Sequence, residues 1–230
     1  MSKRLRKSSP AGPTLGDVAR AAGVSTATVS RVINRPDAVR PELRDRVRRQ
    51  IDALGYVADG AARALASRRS RTIGAVIPTL SSAIFSEGID AFETALGGAG
   101  YSLVLATSGY DAGHEARHIR NLVERGVDAL LLVGRIHDAD AVAMLERRGV
   151  PFVETWTYRP DSPNACVGFD NHRAAKRMAA HLVDLGHRDI AMIAGLTHGN
   201  DRAMERVSGV HEALAEAGIE LPAERFMECA

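Results

Sequence analysis

Residues 14–34 read "TLGDVARAAGVSTATVSRVIN", and their periodicity decides what the front of the chain can be. The second half, "VSTATVSRVIN" (24–34), has no aromatic, no lysine and no acidic residue. Its β-branched Val24, Val29, Val32 and Ile33 would by propensity alone suit a strand. The residues before it argue otherwise. Thr14 is placed to cap a helix whose first turn holds Asp17, favourable against the positive helix end. Leu15, Val18, Ala19 and Ala22 recur at helical spacing, and Gly23 suits a left-handed stop. Ser25 or Thr26 then caps a second helix in which Val29, Val32 and Ile33 share one face. Thr26, Ala27, Ser30 and Arg31 lie elsewhere on its surface. Asn34, followed by Arg35-Pro36, ends it. A third helix opens at Pro41, carries Leu43, Val47, Ile51 and Leu54 on one side, and closes at Gly55.

Two short helices joined by a tight glycine turn, plus a third that packs on them, form a helix-turn-helix unit. The β-branched residues are then the buried face of a recognition helix. Small polar residues near its N-terminus let it sit deep in a major groove. Arg31 and Asn34 are long enough to reach a phosphate or a base edge. A plain three-helix packing module is the alternative.

Charge supports a polyanionic partner for this part of the chain. Residues 1–71 carry a net charge of +10 and the remainder −8, although the whole chain of 230 residues stands at only +2. Hydrophobic residues make up 45% and charged residues 25%, the balance of a globular protein. There is no apolar run long enough to span a membrane and no signal-peptide pattern after the basic start. The two cysteines, Cys166 and Cys229, stand in no metal or redox spacing, so the expectation is a reduced, cytoplasmic protein.

From Thr72 the pattern changes to alternating strands and helices. Strands are expected at 73–78, 101–107, 128–134, 151–156, 165–170 and 189–195. Helices are expected at about 84–98, 113–125, 138–148, 171–185 and 202–217, with a further strand beginning in "RFMECA" (225–230). This alternation implies parallel sheets covered on both faces, with ligands at the carboxyl ends of the strands. The turn after the first strand, "TLSSAIF" (79–85), has no glycine-rich phosphate loop, and "GGAG" (97–100) ends a helix instead of opening one. "HEARH" (114–118) matches a zinc-protease spacing. However, Ile119, Leu122 and Val123 define a different helix face, and no third ligand is indicated. No nucleophile elbow occurs. The expectation is therefore no catalytic residue, no metal and no cofactor.

The segment 14–34, followed by "VRPELRDRVRRQIDALGY" (39–56), resembles the headpiece of the lactose/galactose repressor (LacI/GalR) family. The likeness continues in "IGAVIPTLSSAIFSEGIDAFE" (73–93), "ERGVDALLLVG" (124–134), "GVPFVE" (149–154) and "LVDLGHRDIAMIAG" (182–195). It implies an all-α helix-turn-helix headpiece plus an α/β periplasmic-binding-protein-like sensor domain with parallel sheets. The expected boundaries are 1–56 for the headpiece, 57–71 for a linker, 72–170 for the first sensor lobe and 171–230 for a partial second lobe. A whole second lobe would need roughly 120–150 residues, so the chain is expected to end short of it.

The resemblance also implies roles. DNA contacts fall to Thr14, Ser25, Thr26, Ala27, Thr28, Ser30, Arg31 and Asn34. Leu65, flanked by Ala62 and Ala64, matches the leucine that a hinge helix wedges into the minor groove. Ala58-Asp59 stands where the family has Pro-Asn, and Gly60 weakens such a helix by about 1 kcal/mol, so a plain tether is the alternative. Effector contacts fall to Ser81, Ser82, Phe85, Trp156, Asp170 and Arg206. Each has a structural alternative: turn chemistry for the serines, core packing for the aromatics, a helix cap for Asp170. Arg206, in "ERVSGV" (205–210), matches an arginine that holds effector oxygens. "GYDAGHE" (109–115) and "PNACVGFDN" (163–171) look most like the gluconate-utilisation repressors.

The reading is thus a homodimeric, nucleoid-associated repressor of sugar or sugar-acid genes. It would bind double-stranded operator DNA and a small-molecule effector such as gluconate, with no membrane partner and no enzyme activity. The alternatives are a sensor-fold binding protein without a DNA role, or a metal-dependent hydrolase at His114 and His118.

Overall fold

The computed structural model describes residues 12–58, 60, 64 and 69–229. The chain separates into two compact units, Met1–Arg68 and Arg69–Ala230. Leu65, Ala62 and Asp59, on which the hinge-helix expectation rests, lie outside the described residues.

In the first unit, α1 spans Leu15–Ala22, α2 Thr26–Asn34 and α3 Pro41–Leu54. Thr14 and Asp17 form a reciprocal capping box: Thr14 Oγ1 accepts the Asp17 N–H, and an Asp17 carboxylate oxygen accepts the Thr14 N–H at 2.9 Å. Gly23 ends α1 at φ +62°, a left-handed conformation that a side chain would strain. Of the two candidate caps for α2, Ser25 is the one used; its Oγ accepts the Thr28 N–H at 3.2 Å. Val18, Ala19 and Ala22 from α1, Val29 and Val32 from α2, and Val47 from α3 form the core, with Leu15, Ile33, Leu43 and Ile51 against it.

In the second unit, β1 (Thr72–Ile77), β2 (Ser102–Thr107), β3 (Ala129–Val133), β4 (Phe152–Thr155) and β5 (Cys166–Val167) form one parallel sheet in the order β2-β1-β3-β4-β5. Alternate residues of β1 and β3 point to opposite faces. Ala75, Ile77, Leu131 and Val133 meet Phe85 and Ile89 of α4 (Ala83–Gly98). Val76, Leu130 and Leu132 meet Ile119 and Leu122 of α5 (Ala112–Glu124), and Ala141 and Leu145 of α6 (Ala139–Arg148). Strand order reverses between β1 and β3, so the loops leaving their carboxyl ends diverge and open a crevice there.

Beyond this sheet, α7 (Asn171–Asp184) and α8 (Asp201–Glu216) pack around Ala175, Ala179, Val210 and Leu214. Gly209 permits that crossing, because a Cβ there would collide with the His172 carbonyl. β6 (Met192–Gly195) and β7 (Phe226–Cys229) form a separate parallel pair. Among the described residues, no helix is long and apolar enough to cross a membrane.

Candidate functional site

The outer face of α2 is the candidate nucleic-acid interface. Its apolar face is held in the three-helix core, which leaves Thr26, Ala27 and Arg31 exposed. Thr14 and Ser25 are both engaged as helix caps. Thr28 Oγ1 lies 2.9 Å from Ser25 Oγ, and Asn34 Nδ2 turns back to donate to the Ser30 carbonyl at 2.9 Å. The remaining long polar side chain, Arg31, has no ion-pair partner among the described residues. The helix therefore presents small side chains near its N-terminus and one unspent guanidinium further along.

The second unit holds a cleft of about 630 Å³ at the carboxyl ends of the strands. It brings together five of the six residues expected to bind an effector: Ser81, Ser82, Phe85, Trp156 and Arg206 all line it. Ser81 takes no cap role; its Oγ pairs with Thr79 Oγ1 at 2.8 Å, while Ser82 begins α4 without a side-chain cap bond. Phe85 and Trp156 meet edge-to-face, with ring centroids 5.2 Å apart and planes at 71°. Asp170 is placed differently. It caps α7, its Oδ1 accepting the Arg173 N–H at 2.8 Å, and it is its neighbour Asn171 that lines the cleft.

Trp156 follows β4 with φ +58°, a left-handed conformation rare for a residue with a bulky side chain. Its N–H is held on the Val167 carbonyl at 3.0 Å, and its own carbonyl accepts from Asn171 Nδ2 at 3.0 Å. The ring lies over Gly88 of α4, where a Cβ would come within 2.6 Å of it. Thus an aromatic wall is fixed by backbone bonds on one side and a missing side chain on the other.

Two guanidinium groups reach the cleft, and among the described residues no carboxylate lines it. Arg202 is buried and paired with the buried Asp201 at 3.0 Å, and Asp201 also accepts the Arg135 N–H at 2.8 Å. Burial lowers the pKa of Arg202, with Asp201 opposing that shift; arginine starts so high that it stays charged. Glu205 accepts from Arg135 and Arg159, both at 3.0 Å, and ties α8 to the segments after β3 and β4. Arg206 bonds to a neutral group: its Nη1 donates to Asn171 Oδ1 at 2.7 Å. The site thus combines an aromatic wall, hydroxyls, an amide and one cation without a counter-charge among the described residues, which is the chemistry to hold a small, hydroxylated anion.

Asn171, Arg202, Tyr110 and Asn200 line the cleft without having been singled out from the sequence. The usable signal for Asn171 was its place directly after a helix cap, where a polar side chain can turn inward. In "HEARH", His114 is exposed and His118 half-buried, whereas Glu115 is buried and meets His137 Nδ1 at 3.0 Å.

Comparison with known proteins agrees with both units. Residues 14–59 match bacterial regulatory proteins of the lacI family, and residues 70–230 match the periplasmic binding proteins and sugar binding domain of the LacI family. The chain belongs to the LacI family. Among its relatives, the HTH-type transcriptional regulator GntR of Escherichia coli (strain K12) is 32% identical over 207 residues, covering 90% of this chain and 62% of that protein. A LacI-family transcriptional regulator from Silicibacter pomeroyi superimposes with a TM-score of 0.81 at 30% identity, over 94% of this chain and 64% of that one. The lac repressor dimer bound to operator and the anti-inducer ONPF gives 0.79 at 28%, over 95% and 66%. The chain thus spans a little over three-fifths of the length of the GntR relative.

Proposed function

We propose that this protein is a transcriptional regulator that binds operator DNA as a homodimer, represses genes of sugar or sugar-acid use, and answers to a small effector in its cleft. It acts at the nucleoid in the cytoplasm and catalyses no reaction. The observation that carries the DNA reading is the outer face of α2. There Thr26, Ala27 and Arg31 stay exposed on a helix fixed by its own core, within a segment of net charge +10. Two-fold symmetry would place one such helix in each half of a pseudo-palindromic site, as the operator complex of the lac repressor dimer supports.

The effector reading rests on Arg206. A guanidinium beside hydroxyls and aromatic rings, held by an amide, favours a polyol bearing a carboxylate, and D-gluconate is the compound we name. Similarity to a relative named GntR supports the same class.

Selection of duplexes from a random DNA pool by the full chain tests the DNA role. The expected result is an inverted-repeat consensus whose affinity collapses between about 50 and 200 mM salt. Recovery of no consensus, or an affinity flat across that range, would sink the regulator reading. A thermal-shift screen tests the effector: sugar acids should raise the melting temperature, and a response to neutral sugars or purines alone would overturn the assignment.

A further inference from the structure

We propose that Asn171 sets the charge preference of the cleft, because it orients Arg206 with a neutral amide at a place where a carboxylate would cancel the guanidinium. The inference rests on the polyol-acid reading above and concerns which residue imposes the acid. Asn171 is 1% exposed and its side chain is fully committed. Nδ2 donates to the carbonyls of Trp156 at 3.0 Å and Phe169 at 3.4 Å, and Oδ1 accepts from Arg206 Nη1 at 2.7 Å. Chemistry fixes the amide this way round: an oxygen cannot face two carbonyls, and an NH2 group cannot face a guanidinium.

The anchor behind the amide is itself rigid. The Trp156 carbonyl belongs to a left-handed residue whose N–H is held by Val167 and whose ring is wedged between Phe85 and Gly88. Orientation therefore passes from α4 through Trp156 and Asn171 to the guanidinium. Charge does not follow the same path. Arg202 has its own carboxylate in Asp201, but among the described residues none lies within ion-pair distance of Arg206. A half-buried cation with a neutral partner has one charge still to satisfy, and an anionic ligand supplies it. A neutral polyol leaves it unpaired, and desolvating an unpaired charge costs affinity.

Trp156 is the only tryptophan in the chain and lies in the cleft wall, so its emission reads occupancy. The full chain is titrated at neutral pH with D-gluconate and with sorbitol, which has the same carbon skeleton and a neutral hydroxymethyl group in place of the carboxylate. The wild type is expected to favour gluconate by about tenfold or more, the size of one charge-assisted pair. In Asn171→Asp that preference should fall to about twofold or less, through loss of gluconate affinity. Asn171→Ala frees Arg206 but adds no charge; it should bind gluconate several-fold more weakly and still prefer it over sorbitol.

A folded Asn171→Asp chain that keeps the tenfold preference overturns the inference. So does an Asn171→Ala chain that binds gluconate as the wild type does, which decides the matter alone if the Asp variant loses its far-UV signal. A wild type with no preference for gluconate would instead sink the polyol-acid reading on which the inference stands, so the two failures are distinguishable.

Discussion

His137 lies in the second unit with its side chain only 2% exposed, its Nδ1 3.0 Å from Glu115 Oε2 and Glu154 close enough to act on it. Burial pushes its pKa down, but the hydrogen bond and charge of Glu115, joined by the charge of Glu154, outweigh it and leave the value raised. The imidazolium therefore contributes stability that is fully present below its unfolded pKa of about 6.5 and is lost as pH rises through the higher folded value. Melting curves between about pH 6 and 9 should show that loss, and His137→Gln should flatten it; an unchanged slope in the variant would contradict the assignment. Gly88 gives a second prediction at this scale. Gly88→Ala drives a methyl into the Trp156 ring, and overpacking of this kind costs about 1–3 kcal/mol. A lowered melting temperature with a shifted Trp156 emission is the expected pair of signals. Neither residue was conspicuous in the sequence. One histidine and one glycine carry no mark of what they touch, since their partners come from other elements.

At the scale of elements, the helices of the first unit were legible almost to the residue. Thr14, Gly23, Pro41 and Gly55 all mark ends by local rules, and the core faces followed from spacing except at Leu54, which the spacing put beside Leu43, Val47 and Ile51 but which is exposed at the last residue of α3. The open choice was Ser25 or Thr26 as cap, two adjacent hydroxyls; backbone geometry settles it, with Ser25 extended at φ −76°, ψ 155°. The strands were less sharp. The run 165–170 yields only Cys166–Val167, because β5 is a sheet edge and the following Gly168 lies tight against the Thr157 backbone. Two substitutions in the first unit should separate folding from DNA reading. Val29→Ala removes a fully buried side chain from the core that all three helices share, at a cost of about 2–3 kcal/mol. It should weaken DNA binding together with the unfolding midpoint of that unit. Arg31→Ala lies on the exposed face and should weaken binding without moving the helical signal. If both variants behaved alike in far-UV dichroism, the division of α2 into a buried and a reading face would be wrong.

For the whole molecule, charge is divided unevenly: +10 in residues 1–71 and −8 in the rest. A binding affinity for duplex DNA that falls steeply with salt is expected from the first segment alone, with the acidic remainder touching no phosphate. Substituting two of the exposed arginines of α3, Arg46 and Arg48, by glutamine should make the slope of log affinity against log salt shallower, by about one for each phosphate they neutralise. An unchanged slope would show that these two arginines neutralise no phosphate.

The two-part organisation, the helix-turn-helix and the alternating parallel fold were determined by the sequence alone. Each rests on caps, stops and periodicities that act within a few residues, and these remain visible in a bare chain. Most of the residues expected to line the cleft were legible in the sequence, but the side-chain contacts that fix them and their surroundings in the second unit were decided only by tertiary structure. Asn171 meets partners 15 and 35 residues away, His137 one 22 away, and Trp156, just past β4, is pressed onto Gly88 of α4. Hydrogen bonds and ring packing form between groups that folding brings within a few ångströms, whatever their separation along the chain, and no local spacing encodes that meeting.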